Sequence, residues 1–193
     1  MAEFTFSGAI LAGGRSSRMG RDKAFLTLDG RTLVSRQAAL LNELGCAELL
    51  LSGRPDTDYG VPSARMVYDS VADSGPLAGL AAVLAAARHP WVLVLAVDLP
   101  HITRPFLQSL LDQGAGRTGI APRITEGWEP LAALYPRTLL PEAEAALRDG
   151  RYSLQPFLDQ AEHSGFMCRR FVASDEQPLL ANWNSPSDFA KRP

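Results

Sequence analysis

Several things are scarce in this 193-residue chain. It has two cysteines, Cys46 and Cys168, 122 positions apart, with no second Cys or His at metal-ligand spacing. A disulfide framework or a structural zinc site is therefore not expected, and buried thiols are. Apolar runs such as residues 77–87 and 91–97 fall well short of the roughly 18 to 20 residues of a membrane span. The first ten residues carry no basic segment ahead of an apolar one, so no secretory signal is read and the expected compartment is the cytoplasm. Net charge is only −2 and the apolar share is 46%, which argues against long disorder. His89, His101 and His163 stand apart from one another and from any nucleophile, so no Ser-His-Asp arrangement is supported. Repeats, low-complexity tracts and dividing linkers are missing too, and the length suits one domain over residues 1–193.

Lysine is the scarcest basic residue, present only as Lys23 and Lys191. Charge is also uneven. Residues 1–36 hold six basic side chains against Glu3, Asp22 and Asp29, a surplus of three, and the rest of the chain is −5. A compact basic segment in a near-neutral protein points to a small polyanion as ligand; DNA or RNA usually demands a whole basic face.

What is present alternates between strand and helix patterns. Residues 4–11 read as a strand ending at two glycines, and residues 33–44 repeat apolar side chains at helical spacing. Short strands are expected at 48–52 and 65–68, a helix opened by Pro76 at 76–87, and a doubly buried parallel strand at 91–97. A capped helix at 103–111, strands at 118–122, 131–135 and 166–172, and helices at 141–148 and 154–162 complete the pattern. A short final helix is expected after the capping box Ser185-Pro186-Ser187-Asp188. The alternation predicts an α/β sheet wrapped by helices on both faces, with ligands at the C-terminal strand ends, near Gly13, Ser52, Asp69 and Asp98.

The most informative segment is Leu11-Ala12-Gly13-Gly14-Arg15-Ser16-Ser17-Arg18-Met19-Gly20-Arg21-Asp22-Lys23. Adjacent glycines let a ligand approach the backbone, successive N–H groups can form an anion nest, and Arg15, Arg18, Arg21 and Lys23 can neutralise phosphate oxygens. It is neither a dinucleotide fingerprint nor a P-loop, because five residues separate Gly14 from Gly20 and Arg21 follows. Asp98 ends the 91–97 strand ahead of Leu99-Pro100 and suits Mg²⁺ beside phosphate, although a turn cap is the plain alternative. Asp69 follows a weaker strand and either faces base or ribose or caps a turn. Gly75-Pro76-Leu77-Ala78-Gly79 offers a rigid backbone edge that can read a base, or is an ordinary helix start; Asn182 and Asn184 project to one side if that segment is extended and either contact metal, phosphate or acceptor or serve as turn residues. Trp128, Glu129 and Pro130 either line an acceptor pocket or pack, with packing favoured for Trp128.

Taken in order, the 11–23 motif, G-P-L-A-G at 75–79, the Asp98 strand tip and N-W-N-S-P at 182–186 resemble the molybdenum cofactor guanylyltransferases, the MobA family, from Gly8 to about Phe189. The resemblance implies a single Rossmann-like three-layer α/β/α domain with a mostly parallel central sheet, of nucleotidyltransferase type. Its N-terminal part, about 1–122, would bind nucleotide, and its C-terminal part, about 123–193, the acceptor. The implied reaction transfers GMP from GTP to the terminal phosphate of molybdenum-molybdopterin and releases pyrophosphate.

By matching positions, Leu11, Ala12 and Gly13 would border guanine, and Gly14, Arg15, Arg18 and Lys23 the triphosphate. Lys23, Arg18 and Asp98 would carry catalysis, with Mg²⁺ on Asp98. Ser52, Asp69, Gly75, Pro76 and Leu77 would lie by base and ribose, and Asn182 and Asn184 on the acceptor side. Related CTP enzymes tend to have Ala where Gly13 stands, so the missing methyl would leave room for a purine. Ser52 departs from the Asn frequent after the second strand, which bears on base choice. Transient contact with molybdenum-insertion and molybdoenzyme-maturation proteins is also implied. The alternatives are a molybdopterin cytidylyltransferase, a sugar-1-phosphate nucleotidyltransferase, or a non-catalytic nucleotide-binding module.

Overall fold

The computed structural model describes residues 4–13, 22–68, 75–114 and 118–183. Strand β1 (Phe6–Leu11) is followed by a single 3₁₀ turn at Lys23–Phe25 and a short antiparallel pair, β2 (Thr27–Leu28) and β3 (Arg31–Thr32). That pair turns on Asp29 and Gly30, both at positive φ (52° and 77°), the Asp-Gly signature of a tight hairpin. Helix α1 (Leu33–Glu43) starts directly after it, capped by the Thr32 hydroxyl, which accepts from the Ser35 N–H. Then come β4 (Glu48–Ser52), β5 (Ala64–Val67), α2 (Gly75–Ala86), β6 (Trp91–Ala96) and α3 (Arg104–Gly114). The chain continues through β7 (Gly119–Ile124), β8 (Gly127–Trp128), β9 (Ala132–Pro136), α4 (Leu140–Arg148), α5 (Leu154–His163) and β10 (Met167–Phe171). The helix expected after residue 184 lies outside the described residues.

The main sheet has eight strands in the order β10-β7-β9-β6-β1-β4-β5, with β8 paired to β7. Pairing is parallel between β1 and β4, β1 and β6, β4 and β5, and β7 and β10. Strand β9 is reversed, antiparallel to both β6 and β7. Thus β6, expected as a central parallel strand, is parallel on one flank only. Its unbroken apolar run reflects cover on both faces, which does not depend on the direction of a neighbour.

Side-chain alternation divides two cores. Phe6 and Ile10 of β1, Leu49 and Leu51 of β4, and Leu93 and Leu95 of β6 face α1 and α3. Ala9, Leu50, Val92 and Val94 face α2, α4 and α5. Helices therefore cover both faces of a mostly parallel sheet, as expected. Helix α2 is apolar nearly all round because it is buried against the sheet and α4, and Leu77, Leu80 and Leu84 are fully buried. Cys46 and Cys168 are free thiols and half-buried, less enclosed than expected. No helix among the described residues is long and apolar enough to cross a membrane.

Candidate functional site

The strand order reverses direction at β1: the chain moves outward to β4 and β5, then returns to β6 on the other side. Such a switch point opens a crevice at the C-terminal strand ends. Three of those ends are tied together by backbone. The Ala12 N–H donates to the Ser52 carbonyl (2.8 Å) and the Val97 N–H to the Leu11 carbonyl (3.2 Å). Leu11, Ala12 and Gly13, Ser52, and Asp98 thus occupy neighbouring positions along one rim.

Lys23 and Asp98, 75 residues apart in sequence, meet on this rim. Lys23 Nζ lies 2.7 Å from Asp98 Oδ2, with the two side chains about one-fifth exposed (19% and 20%). Lys23 is presented by the 3₁₀ turn, whose start is capped by Asp22 Oδ1 accepting from the Ala24 N–H at 3.0 Å. Asp98 follows β6, and its carbonyl accepts from the Trp183 N–H at 2.9 Å. This contact brings the segment carrying Asn182 to the rim. Trp183 is buried and meets the His101 ring edge-on at 5.8 Å, while Asn182 is exposed. His101 thus packs against Trp183.

Helix α2 approaches the same rim. A Cβ at Gly79 would sit 3.5 Å from Ser52 Oγ and 3.6 Å from the Leu11 methyls, so the 75–79 motif abuts the ends of β1 and β4. Gly75 has φ +69°, a conformation that favours glycine. Pro76 is exposed, but Leu77 is fully buried in the core, so only its backbone is available to a ligand. Gly13 is exposed, and a Cβ there would find Gly53 backbone at 3.8 Å, an ordinary contact. Among the described residues, then, packing does not require glycine at 13. Gly14, Arg15, Arg18, Asp69 and Asn184 lie outside the described residues.

Two residues near the rim, Tyr59 and Gln37, carry no mark in the sequence, and a third, Glu129, gains a sharper role from its place in the fold. Tyr59 packs over Gly53, where a Cβ would fall 2.5 Å from its ring, and its hydroxyl accepts from the Arg54 N–H at 3.0 Å. Its ring also stacks on Phe25 (5.6 Å, 7°), linking the loop after β4 to the turn that carries Lys23. Gln37 of α1 donates through Nε2 to the carbonyls of Ala96 and Leu99. The third, Glu129, is one of the residues expected either to line an acceptor pocket or to pack. It precedes β9 on the segment whose Leu131 carbonyl accepts from the Ala96 N–H (2.7 Å), and so stands at the Asp98 end of β6. Burial first, then the charges of Asp98 and Glu126, push the Glu129 carboxyl up to about 7. The turn chemistry around Gly53 was visible in the sequence, but the partners across space were not. Trp128 itself is buried, with its Nε1 donating to Asp159 (2.8 Å), which bears out packing.

The rim offers a cation, a hard carboxylate oxygen and open backbone, a set suited to a phosphate-bearing ligand with a divalent cation. No group of three or more His, Cys, Asp or Glu residues among the described residues could hold a metal by itself. A cation here would draw its other ligands from substrate and water, as Mg²⁺ in phosphate sites does, and Asp98 fits that use.

Comparison with known proteins agrees with this geometry. The chain is 40% identical over 185 residues to a probable molybdenum cofactor guanylyltransferase of Opitutus terrae, covering 94% of this chain and 92% of that protein. It is likewise 40% identical over 190 residues to the molybdenum cofactor guanylyltransferase of Pseudomonas aeruginosa strain LESB58, covering 94% and 91%. Among solved structures, the molybdopterin-guanine dinucleotide biosynthesis protein A of Archaeoglobus fulgidus shares the fold at TM-score 0.75 and 23% identity, over 96% and 95% of the two chains. Residues 8–164 match the MobA-like NTP transferase domain, and the chain belongs to that family of nucleotidyltransferases.

Proposed function

We propose that this protein transfers GMP from GTP to the terminal phosphate of molybdenum-molybdopterin, forming the guanine dinucleotide cofactor and pyrophosphate. The observation that carries the reading is the Lys23–Asp98 pair at the C-terminal ends of β1 and β6, in a chain 40% identical to guanylyltransferases along nearly its whole length. The acceptor phosphate is already ionised at neutral pH, so attack on the α-phosphorus needs alignment and charge neutralisation more than a general base. One acceptor oxygen forms the new bond to the α-phosphorus, and the bond to the bridging oxygen breaks as pyrophosphate leaves. This chemistry explains a rim with no His or Cys nucleophile among its described residues.

In this reading Leu11, Ala12 and Gly13 border guanine, while Gly14, Arg15, Arg18 and Lys23 hold the triphosphate. Lys23 and Arg18 neutralise charge as it develops, and Asp98 binds Mg²⁺, which when bound polarises the phosphate oxygens. Ser52, Asp69 and the backbone of Gly75, Pro76 and Leu77 contact base and ribose. Asn182 and Asn184 face the acceptor. The division near residue 122 is functional, because it falls inside β7, and β7 shares the sheet with β9 and β10. With GTP as donor the reaction belongs in the cytoplasm, with transfer of product to molybdenum-insertion and molybdoenzyme-maturation proteins.

The test supplies each nucleoside triphosphate in turn with Mg²⁺ and molybdenum-loaded molybdopterin, and follows pyrophosphate and dinucleotide. GTP is expected to be the productive donor. Product from CTP and none from GTP overturns the base assignment, and nucleotide binding without turnover in any mixture overturns catalysis.

A further inference from the structure

Among the described residues, buried polar or charged side chains are few: Ser7, Gln37 and Ser52. Ser7 donates to Glu48, and Ser52 belongs to the rim. Gln37 lies on α1, among Leu33, Val34 and Leu41, 1% exposed. An apolar side chain would suit that setting better. Its Oε1 is buried and has no hydrogen-bond partner among the described residues, a defect that costs about 1–3 kcal/mol for a typical buried acceptor.

The amide nitrogen gives the reason for the polar choice. It donates to the Leu99 carbonyl at 2.8 Å and to the Ala96 carbonyl at 3.3 Å. These two carbonyls bracket Val97 and Asp98, just where β6 ends. Other contacts close the remaining sides: Val97 N–H to the Leu11 carbonyl, Trp183 N–H to the Asp98 carbonyl, and Arg36 Nη2 to the Pro100 carbonyl at 3.4 Å. The backbone from which the Asp98 carboxylate leaves is therefore clamped from α1, from β1 and from the C-terminal segment.

We propose that Gln37 is a positioning residue of the transfer reaction, holding the Ala96 and Leu99 carbonyls so that the Asp98 carboxylate is aimed at Lys23 and at a divalent cation on the donor triphosphate. Gln37 touches neither substrate nor cation and acts through Asp98, so the inference rests on the role given to Asp98 above. A polar group buried at a cost on a helix behind the site is explained by the accuracy it confers at the front.

The test uses Gln37→Met, similar in length but unable to donate, alone and combined with Asp98→Asn. Turnover, the KM for GTP, thermal unfolding, and Mn²⁺ binding in the presence of GTP by electron paramagnetic resonance are measured for each. Because misplacement of about 1 Å can cost on the order of 100-fold, Gln37→Met is expected to lower kcat by roughly 10- to 100-fold and to weaken Mn²⁺ binding about tenfold, with KM for GTP changed less than about threefold. In the Asp98→Asn background it should cause no further loss. Wild-type kcat and Mn²⁺ affinity in Gln37→Met, or an equal loss in both backgrounds, overturns the inference. Wild-type turnover and Mn²⁺ binding in Asp98→Asn alone instead overturns the role of Asp98. Should Gln37→Met show no cooperative unfolding transition, Gln37→Asn, which withdraws the amide from both carbonyls, carries the same comparison and the same outcomes.

Discussion

The two ends of the central sheet treat carboxylates in opposite ways. At the N-terminal end, Glu48 opens β4 with its oxygens taken up by the Ser7 hydroxyl (2.8 Å), the Arg88 N–H (2.5 Å) and Arg65 Nη2 (3.0 Å). Arg65 also donates to the Ala86 carbonyl at 2.7 Å, tying β5 to the end of α2. Burial pushes the Glu48 carboxyl up, but the Arg88 N–H, the Ser7 hydroxyl and the Arg65 guanidinium outweigh it and hold it below the ordinary value. At the C-terminal end, Asp98 and Glu129 stand near each other, and the side chain of Glu129 has no hydrogen bond or ion pair among the described residues. The first arrangement is satisfied within the protein and fastens elements together. The second, among the described residues, pairs Asp98 with Lys23 and leaves Glu129 without an ion pair, as expected where a ligand's charges finish the network.

Breaking each end separately tests the contrast. The largest effect is expected at the C-terminal end, where Lys23→Met should cut kcat by about 100-fold or more, the scale of losing one fixed electrostatic donor, with little change in thermal unfolding. At the N-terminal end Glu48→Leu should do the reverse. It strands the Ser7 hydroxyl and the Arg88 N–H, so stability should fall by about 1–3 kcal/mol by urea unfolding while kcat per folded molecule stays near wild type. An intermediate effect separates two glycines near the rim. Gly53→Ala meets the Tyr59 ring and should lower stability by about 1–3 kcal/mol, whereas Gly13→Ala meets nothing closer than ordinary contact among the described residues and should leave stability unchanged while raising the KM for GTP.

The smallest effect is the pH dependence, and its sign differs between the two ends. Glu129 has its folded value raised to about 7, so its contribution is fully present below about 4.5 and is lost as pH rises through 7. Glu48 has its folded value lowered, so its contribution is present above about 4.5 and lost as the solution is acidified further. Glu129→Gln should therefore gain stability relative to wild type between pH 5 and pH 8, by on the order of 1 kcal/mol once solvent screening is allowed for. Glu48→Gln should close its deficit toward pH 3. Chemical denaturation across that range measures both, and a Glu129→Gln difference that does not change with pH would remove the contrast.

How much of this was legible beforehand depended on range. Residues 91–97 announced a doubly covered strand, and the spacing of Val34, Ala38 and Leu41 announced one buried helix face, because burial writes itself into composition and period. The hairpin at Asp29-Gly30 carries its turn signal openly, but its flanking strands, two residues each, are too short to show an alternating pattern. The reversal of β9 left no trace, since strand direction alters neither the alternation nor the composition of a covered strand. At the site, Lys23 and Asp98 were each marked by position at a strand or motif end. Gln37 and Tyr59 were not, for their roles consist of contacts to carbonyls 59 and 62 positions away in one case and to the ring of Phe25, on another loop, in the other.

By itself the sequence determined the α/β alternation, the strand ends at which ligands gather, and the basic motif feeding Lys23, because these depend on local chemistry and period. Tertiary structure alone decided that Lys23 reaches Asp98, that Gln37 braces the carbonyls on either side of it, and that among the described residues Glu48 is fully partnered while Glu129 is not. Those properties depend on distances set when layers pack, and a linear pattern holds no record of which unlike residues will end up three ångströms apart.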